Sequence, residues 1–250
     1  LPLVLTDSQT FRAATVGSLA VLALSVVVLT GWAGEVTLGQ MAFAVSGAAV
    51  AAYGTAHWHW DLTLALVLAG LAGAVAAVVV GLPSLRWQGI FLAVTTLAFA
   101  QAAAGYVLNP TNATWIPTDA VTRRPLLGVW SLRGDSAMYE VVLAVLVVAL
   151  VALAGIRRSR MGRVLRAVRD NGPGAQAYGV RLVAVRLSAF ALSGFLAGVA
   201  GALLVYVSEG YDIATYSAEQ GLNVFIATVV GGVGSAVGAI LGAVVLDGSR

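Results

Sequence analysis

Leu62-Thr-Leu-Ala-Leu-Val-Leu-Ala-Gly-Leu-Ala-Gly-Ala-Val-Ala-Ala-Val-Val-Val-Gly-Leu-Pro-Ser-Leu85 contains no Asp, Glu, Arg or Lys. A helix rises about 1.5 Å per residue, so roughly 20 apolar residues cross a hydrocarbon core about 30 Å thick. This stretch is long enough. Working outward from it, Ala13–Gly34, Val36–Trp60, Trp87–Thr118, Leu187–Ser208 and Gln220–Leu246 are equally free of charge, and the shorter Val141–Ile156 gains length from Ser136–Tyr139. The fold class that follows is all-α: a polytopic membrane helix bundle, with broken or re-entrant helices where glycine interrupts the apolar runs.

Composition agrees. Hydrophobic residues make up 60% of the chain and charged residues 10%, with a mean hydropathy of +0.93. A soluble domain needs a charged shell of roughly a quarter of its residues. All 14 basic residues are arginine. A P-loop needs a lysine on the β- and γ-phosphates, so the chain is not a conventional P-loop ATPase, and ATP-driven work has to come from another subunit. The absence of cysteine removes disulfides, thiolate metal sites and cysteine nucleophiles. A pI near 9.6 reflects arginines placed for a membrane rather than for nucleic acid. Leu1–Leu5 reads as the tail of an earlier apolar span, and Asp247–Arg250 stops abruptly after another; no charged n-region marks a signal peptide.

Eight of the 14 arginines fall in Arg157–Arg186, with Asp170 the one acid among them. By the positive-inside rule that segment is cytoplasmic, and Arg86 falls on the same side. The order is then Ala14–Thr30 inward, Val36–Thr55 outward, Leu62–Leu82 inward, Gly89–Leu108 outward, Ala137–Gly155 inward and Arg186–Val207 outward. The external loop Asn109–Ser136 carries Arg123, Arg124 and Arg133 against Asp119 and Asp135, a mild tension with the rule. Gln220–Leu246 differs in kind: Gly231-Gly-Val-Gly-Ser235 is too glycine-rich for a helix interior, and two short helices meeting at a mid-membrane turn fit it better. Gly31–Glu35, followed by Gly39 and Gln40, is a second break. Broken helices beside a pathway are a transporter feature. The pair Gly194/Gly198 and the triplet Gly234/Gly238/Gly242 allow close helix contact, within the chain in preference to a subunit interface.

The arginine segment holds the clearest local pattern. Met161, Val164, Leu165 and Val168 make one apolar helical face, with Arg157, Arg160, Arg163, Arg166 and Arg169 around the remainder. Asn171-Gly-Pro-Gly174 breaks the helix; a short second helix, Ala175–Tyr178, ends at Gly179. Geometry alone leaves two readings open: a rigid lever facing the cytosol, or an interfacial helix on anionic lipid.

Four motifs resemble the branched-chain amino-acid permease family. Gly31-Trp-Ala-Gly-Glu-Val-Thr-Leu-Gly-Gln-Met-Ala-Phe43, with Gly47 and Tyr53, is similar to its Gly-Tyr-Ala-Gly…Ser-Leu-Gly-His…Phe…Gly-Ala-Tyr signature. Leu85-Arg-Trp-Gln-Gly-Ile-Phe-Leu-Ala-Val-Thr-Thr-Leu-Ala-Phe99 resembles a stretch of its LivM-type member. Ser159–Asn171 with Ala175, Ala177 and Gly179 resembles the ATPase-coupling loop, and Gly231–Ser235 with Gly238, Gly242 and Ala243 the terminal glycine motif. The resemblance implies an ABC importer permease fold over 1–250 with a further span at each end, and a coupling loop at 156–186 in which Gly162, Arg163, Arg166, Ala167, Arg169, Asn171, Ala175, Ala177 and Gly179 meet the ATPase. It implies a LivH-type permease as heterodimer partner, two cytosolic ABC ATPase subunits that carry the ATP and Mg, a periplasmic or lipid-anchored binding protein, and a place in the bacterial inner membrane. No cofactor, metal or catalytic residue is expected on this chain.

Candidate path residues are Gly34, Glu35, Gln40, Phe43, Thr95, Thr96, Gln101, Gly231, Gly232 and Gly234. Glu35 either faces a vestibule, attracting a substrate amino group, or sits at the cytoplasmic interface where its charge is cheap. Thr95, Thr96 and Gln101 either line the path or bond to neighbouring helices. His57, Trp58, His59 and Trp60 read as an aromatic interfacial belt in preference to a metal site. Glu209, Asp212 and Glu219 make an acidic outer loop. Glu35, Gln40 and a loop 111–125 without a glycine-rich motif depart from the family pattern. Alternatives are an ABC permease for urea, amides, sugars or nucleosides, or an ion-coupled secondary transporter, which would want a carboxylate or histidine at mid-span.

Overall fold

The computed structural model describes residues 7–84, 90–117, 121, 123 and 134–248. The expectations for Leu1–Leu5, Leu85–Gly89, Arg86, Asp119, Arg124, Arg133 and Arg250 lie outside these residues. Among the described residues there are helices and no strands: α1 (Asp7–Val26), α2 (Gln40–Trp58), α3 (Leu62–Ser84), α4 (Ile90–Ala102), α5 (Asp135–Arg158), α6 (Arg160–Asp170), α7 (Gly172–Ala177), α8 (Leu182–Ser208), α9 (Ala218–Gly231) and α10 (Ala236–Gly248). Four helical stretches, Ser8–Trp32, Leu62–Pro83, Asp135–Arg158 and Leu182–Ser208, are long and apolar enough to cross a bilayer. The bundle has an arginine end, carrying α6 and α7, and an opposite end ringed by Tyr53, His57, Trp58, Trp60 and Trp115 in ring contact.

Helices α2 and α8 form the centre, with α3 and α1 packed along them. The reason is side-chain size. A Cβ at Gly198 would run into the backbone of Ala69 and Gly73 on α3, one at Gly47 into Gly198 itself, and one at Gly201 into the Ala44 carbonyl of α2. Small residues on three helices thus let backbones touch, which in lipid supplies the packing that hydrophobicity cannot. The stripe on α8 is consumed inside the chain. So are Gly238 and Gly242, which press on Gly231 and on the Ala227 carbonyl of α9.

Several boundaries differ from the sequence expectation, each for a local reason. Span one does not stop at Thr30: it continues as a π-helical turn, Val27–Trp32. The second helix begins at Gln40, four residues after Val36, because Gly34 takes φ +75° and the Thr37 hydroxyl accepts from Gly39 N at 3.1 Å. At Asn171–Gly174 the break is a single residue, Asn171. Its side chain caps α7 by accepting from Gly174 N at 2.9 Å, and Pro173 fits the first turn, where no amide hydrogen is needed. Helix α8 starts at Leu182 and carries Arg186 inside it. Helices α9 and α10 form a hairpin whose turn hinges on Gly232 at φ +105°.

Arg123 accounts for one cation opposite the arginine end. Its side chain is 7% exposed and pairs with Asp135 at 2.8 Å and Glu209 at 3.1 Å. It also donates to the carbonyls of Tyr206 and Val207, closing the C-terminus of α8, where a cation complements the helix dipole. Glu209 is therefore part of an internal clamp, and Asp212 caps the turn Ile213–Tyr216; neither is a free loop acid.

Candidate translocation and coupling site

The arginine end is built from α6 and α7. Leu165 and Val168 are buried and Gly162 lies against the Ile156 and Arg157 carbonyls, so the corner from α5 into α6 is as tight as a missing side chain allows. Arg163 donates to the Arg158 carbonyl at 2.8 Å. Arg166 donates to the carbonyls of Gly162 at 3.2 Å and Arg157 at 3.3 Å. Both guanidinium groups thus cap the end of α5 while remaining at the surface. Ala175 turns inward; Ala167, Asn171, Ala177, Tyr178 and Gly179 are exposed, Tyr178 at 92%. Gly179 has φ +81° with open space around it, the left-handed conformation that ends a helix without strain only in glycine.

Arg169 joins α6 to the broken segment between α1 and α2. Its guanidinium donates to the Gly31 carbonyl, and its stem lies against Gly34, where a Cβ would sit 2.9 Å from Cγ. Directly after the left-handed turn of Gly34, the Glu35 carboxylate meets Arg186 of α8 at 2.9 Å. Two arginines from two elements therefore hold one unwound segment. Beyond it, Leu38 N donates to the Thr96 hydroxyl of α4 at 3.1 Å, satisfying a backbone group that a helix would have used.

A polar knot fixes the start of α2. The Ser25 hydroxyl donates to Gln40 Oε1 at 3.1 Å, Gln40 Nε2 donates to the Ser193 hydroxyl at 3.2 Å, and that hydroxyl donates to the Ser25 carbonyl at 2.9 Å. Ser193 lies near the middle of α8, so α2 begins at half-depth. Every polar atom of this knot is occupied by another of its members, which is what burial in low dielectric demands.

The residues named from sequence separate by environment. Glu35, Gln40, Phe43 and Thr96 are buried and committed to internal partners. Gly34 is exposed beside Arg169, and Gly231, Gly232 and Gly234 lie at the hairpin tip, where the Val233 carbonyl crowds Gly31. Thr95 is half-buried, its hydroxyl donating to the Phe91 and Leu92 carbonyls of its own helix. Gln101 is exposed. Sequence reasoning missed Ser25, Ser193 and the role of Arg186 as the partner of Glu35. One signal was available: Glu35 is the lone acid between Asp7 and Asp61, and a charge so isolated among spans calls for a counter-ion. Among the described residues no group of three or more His, Cys, Asp or Glu lies close enough to hold a metal.

Apolar spans, a helix that starts at half-depth and a glycine-hinged hairpin define a polytopic membrane protein of the transporter class. The model of the branched-chain amino acid transport system / permease component family matches residues 10–249, and the chain belongs to that family. It is similar to the high-affinity branched-chain amino acid transport system permease protein LivM of Salmonella typhimurium, 28% identical across 92% of this chain and 60% of the relative. LivM of Escherichia coli is 27% identical over the same shares. The chain thus spans 60% of the length of these curated relatives. No solved structure gives a significant match.

Proposed function

We propose that this chain is a membrane subunit of an ATP-driven importer for branched-chain or related hydrophobic amino acids in a bacterial inner membrane. It forms the translocation path with a LivH-type sister permease. Two cytosolic ABC ATPases hold the ATP and Mg, and a periplasmic or lipid-anchored protein delivers the substrate. The arginine end faces the cytosol, where the excess of arginine belongs. This subunit makes and breaks no bonds; it supplies a path and a lever.

The observation that carries the reading is the two-sided character of α6 and α7. One side offers Ala177, Tyr178 and Gly179 to a partner. The other grips the break between α1 and α2 through Arg169. When the ATPase pair closes and tilts α7, the pull reaches the Gly31 carbonyl directly and the half-depth start of α2 next. A secondary transporter would need a free carboxylate or histidine at mid-depth; the Glu35 carboxylate is already paired with Arg186.

The test is co-purification with two ATPases and a sister permease, and ATP hydrolysis stimulated by loaded binding protein. Uptake that survives ATP depletion and collapses with the proton gradient overturns the proposal. Gly179→Val forces a Cβ into the left-handed region at about 1–2 kcal/mol, so the docked geometry should fall roughly tenfold in population. Transport is expected to drop accordingly while the spans stay folded by circular dichroism. Arg166→Ala, which frees the end of α5, should likewise separate ATP hydrolysis from uptake. Wild-type coupling in both variants would show that α6 and α7 are not the lever.

A further inference from the structure

The outward faces of the bundle are not chemically alike. Along α3 the exposed side chains between Leu64 and Leu82 are Leu64, Val67, Leu71, Val75, Val79 and Leu82, and along α5 between Val141 and Gly155 they are equally apolar. These surfaces suit lipid. Helix α4 presents Phe91, Val94 and Ala98, then Gln101. Beside α4 runs α9, which holds Asn223 half-exposed between Leu222 and Ile226. Neither amide has a hydrogen-bond partner among the described residues.

Both amides lie at bilayer depth. Gln101 follows Thr96 by five residues, about 7 Å along the helix, and Thr96 bonds to the unwound backbone at Leu38 just before the half-depth start of α2. Asn223 follows Gly221, which lies against Met41 in the first turn of that same helix. An amide facing hydrocarbon with nothing to bond is costly, and polar groups at this depth face water or protein. On the α3 and α5 faces the exposed polar side chains Thr63 and Glu140 lie in the first two turns of their helices, and the stretches beyond them, as far as Leu82 and Gly155, are apolar.

We propose that the α4–α9 face is the wetted wall of the translocation path, with Gln101 and Asn223 as hydrogen-bonding stations for the polar end of a small zwitterionic solute. The proposal deepens the importer reading and rests on it for the solute alone. Glu35, Gln40 and Thr96 lie behind this wall and hold its shape; Thr95 sits at its edge. Two amides donate and accept without carrying charge, so they bind a carboxylate and an ammonium weakly enough for the solute to leave.

The natural absence of cysteine from this sequence makes the test direct. Gln101→Cys and Asn223→Cys are placed singly in the assembled complex, with Val75→Cys and Val148→Cys as lipid-side controls, these being 64% and 67% exposed. A membrane-impermeant methanethiosulfonate sulfonate is applied from both sides, and a lipid-soluble maleimide reports that each variant is present and folded. The thiolate is the reactive form and needs water, so positions 101 and 223 should react at least about a hundredfold faster than 75 and 148. Leucine should slow them. Rates at 101 and 223 as low as at the controls overturn the proposal, whether lipid or a tightly packed sister subunit covers the face. That failure leaves ATP-stimulated uptake intact. Loss of ATP dependence with fast labelling would remove the importer reading and leave the wetted wall.

Discussion

Arg186→Leu is expected to destabilise the bundle by about 3–5 kcal/mol, the cost of leaving a buried carboxylate without its counter-ion. Glu35 is 8% exposed and its carboxylate meets Arg186 at 2.9 Å, while the side chains of the pair are only 10% and 17% accessible. Removing both charges together, as Glu35→Leu with Arg186→Leu, should recover most of the loss, since apolar replacements of a buried pair are often neutral. Reversible unfolding in mixed detergent micelles gives the two numbers. If the double variant is no more stable than Arg186→Leu, the pair is not what holds the break in place. The double variant also separates stability from transport. It keeps the fold but frees the segment after Gly34 from α8, so it should be stable and slow.

The second large effect concerns contact distance. Gly198→Leu places a branched side chain where the backbones of Ala69 and Gly73 now stand, with Gly47 of α2 pressed on the same residue. Overpacking a close seam costs about 1–3 kcal/mol when side chains can move. Here the obstacles are main-chain atoms of two helices, so the upper end or more is expected, with α2 and α3 displaced from α8. Gly155→Leu on α5 is the control: nothing lies within 4 Å of its Cβ position, and the change should stay within about 0.5 kcal/mol. Leucine favours a helix over glycine, so equal losses at both positions would mean that added bulk anywhere on the bundle, and not the seam, sets the stability. Gly201→Leu, against the Ala44 carbonyl, should behave like Gly198→Leu.

Charge distribution made the architecture legible before any coordinates. A charged side chain in hydrocarbon is expensive wherever it lies, so long gaps between ionisable residues mark spans regardless of tertiary detail. The hairpin at Gly231–Ser235 was legible for a similar reason: adjacent glycines do not sustain a helix interior, whatever surrounds them. The amphipathic face of α6 followed from period: of Met161, Val164, Leu165 and Val168, the last two are buried and the first two half-buried, and Gly162 is buried beside them.

Direction and pairing were not legible. Gln40 and Thr96 belong to the interior and Gln101 to the surface, yet all three are uncharged polar residues in apolar stretches. Period gives a face, but only neighbours decide whether that face meets a helix, lipid or water. Glu35 and Arg186 are separated by most of the chain, and Ser25 and Ser193 likewise; no local rule links them. A bundle of membrane helices with two glycine breaks and an arginine-rich end follows from the order of residues, because solvation penalties act residue by residue. Tertiary structure alone decided which polar groups satisfy one another and which are left facing outward, because hydrogen-bond satisfaction depends on what lies across the gap.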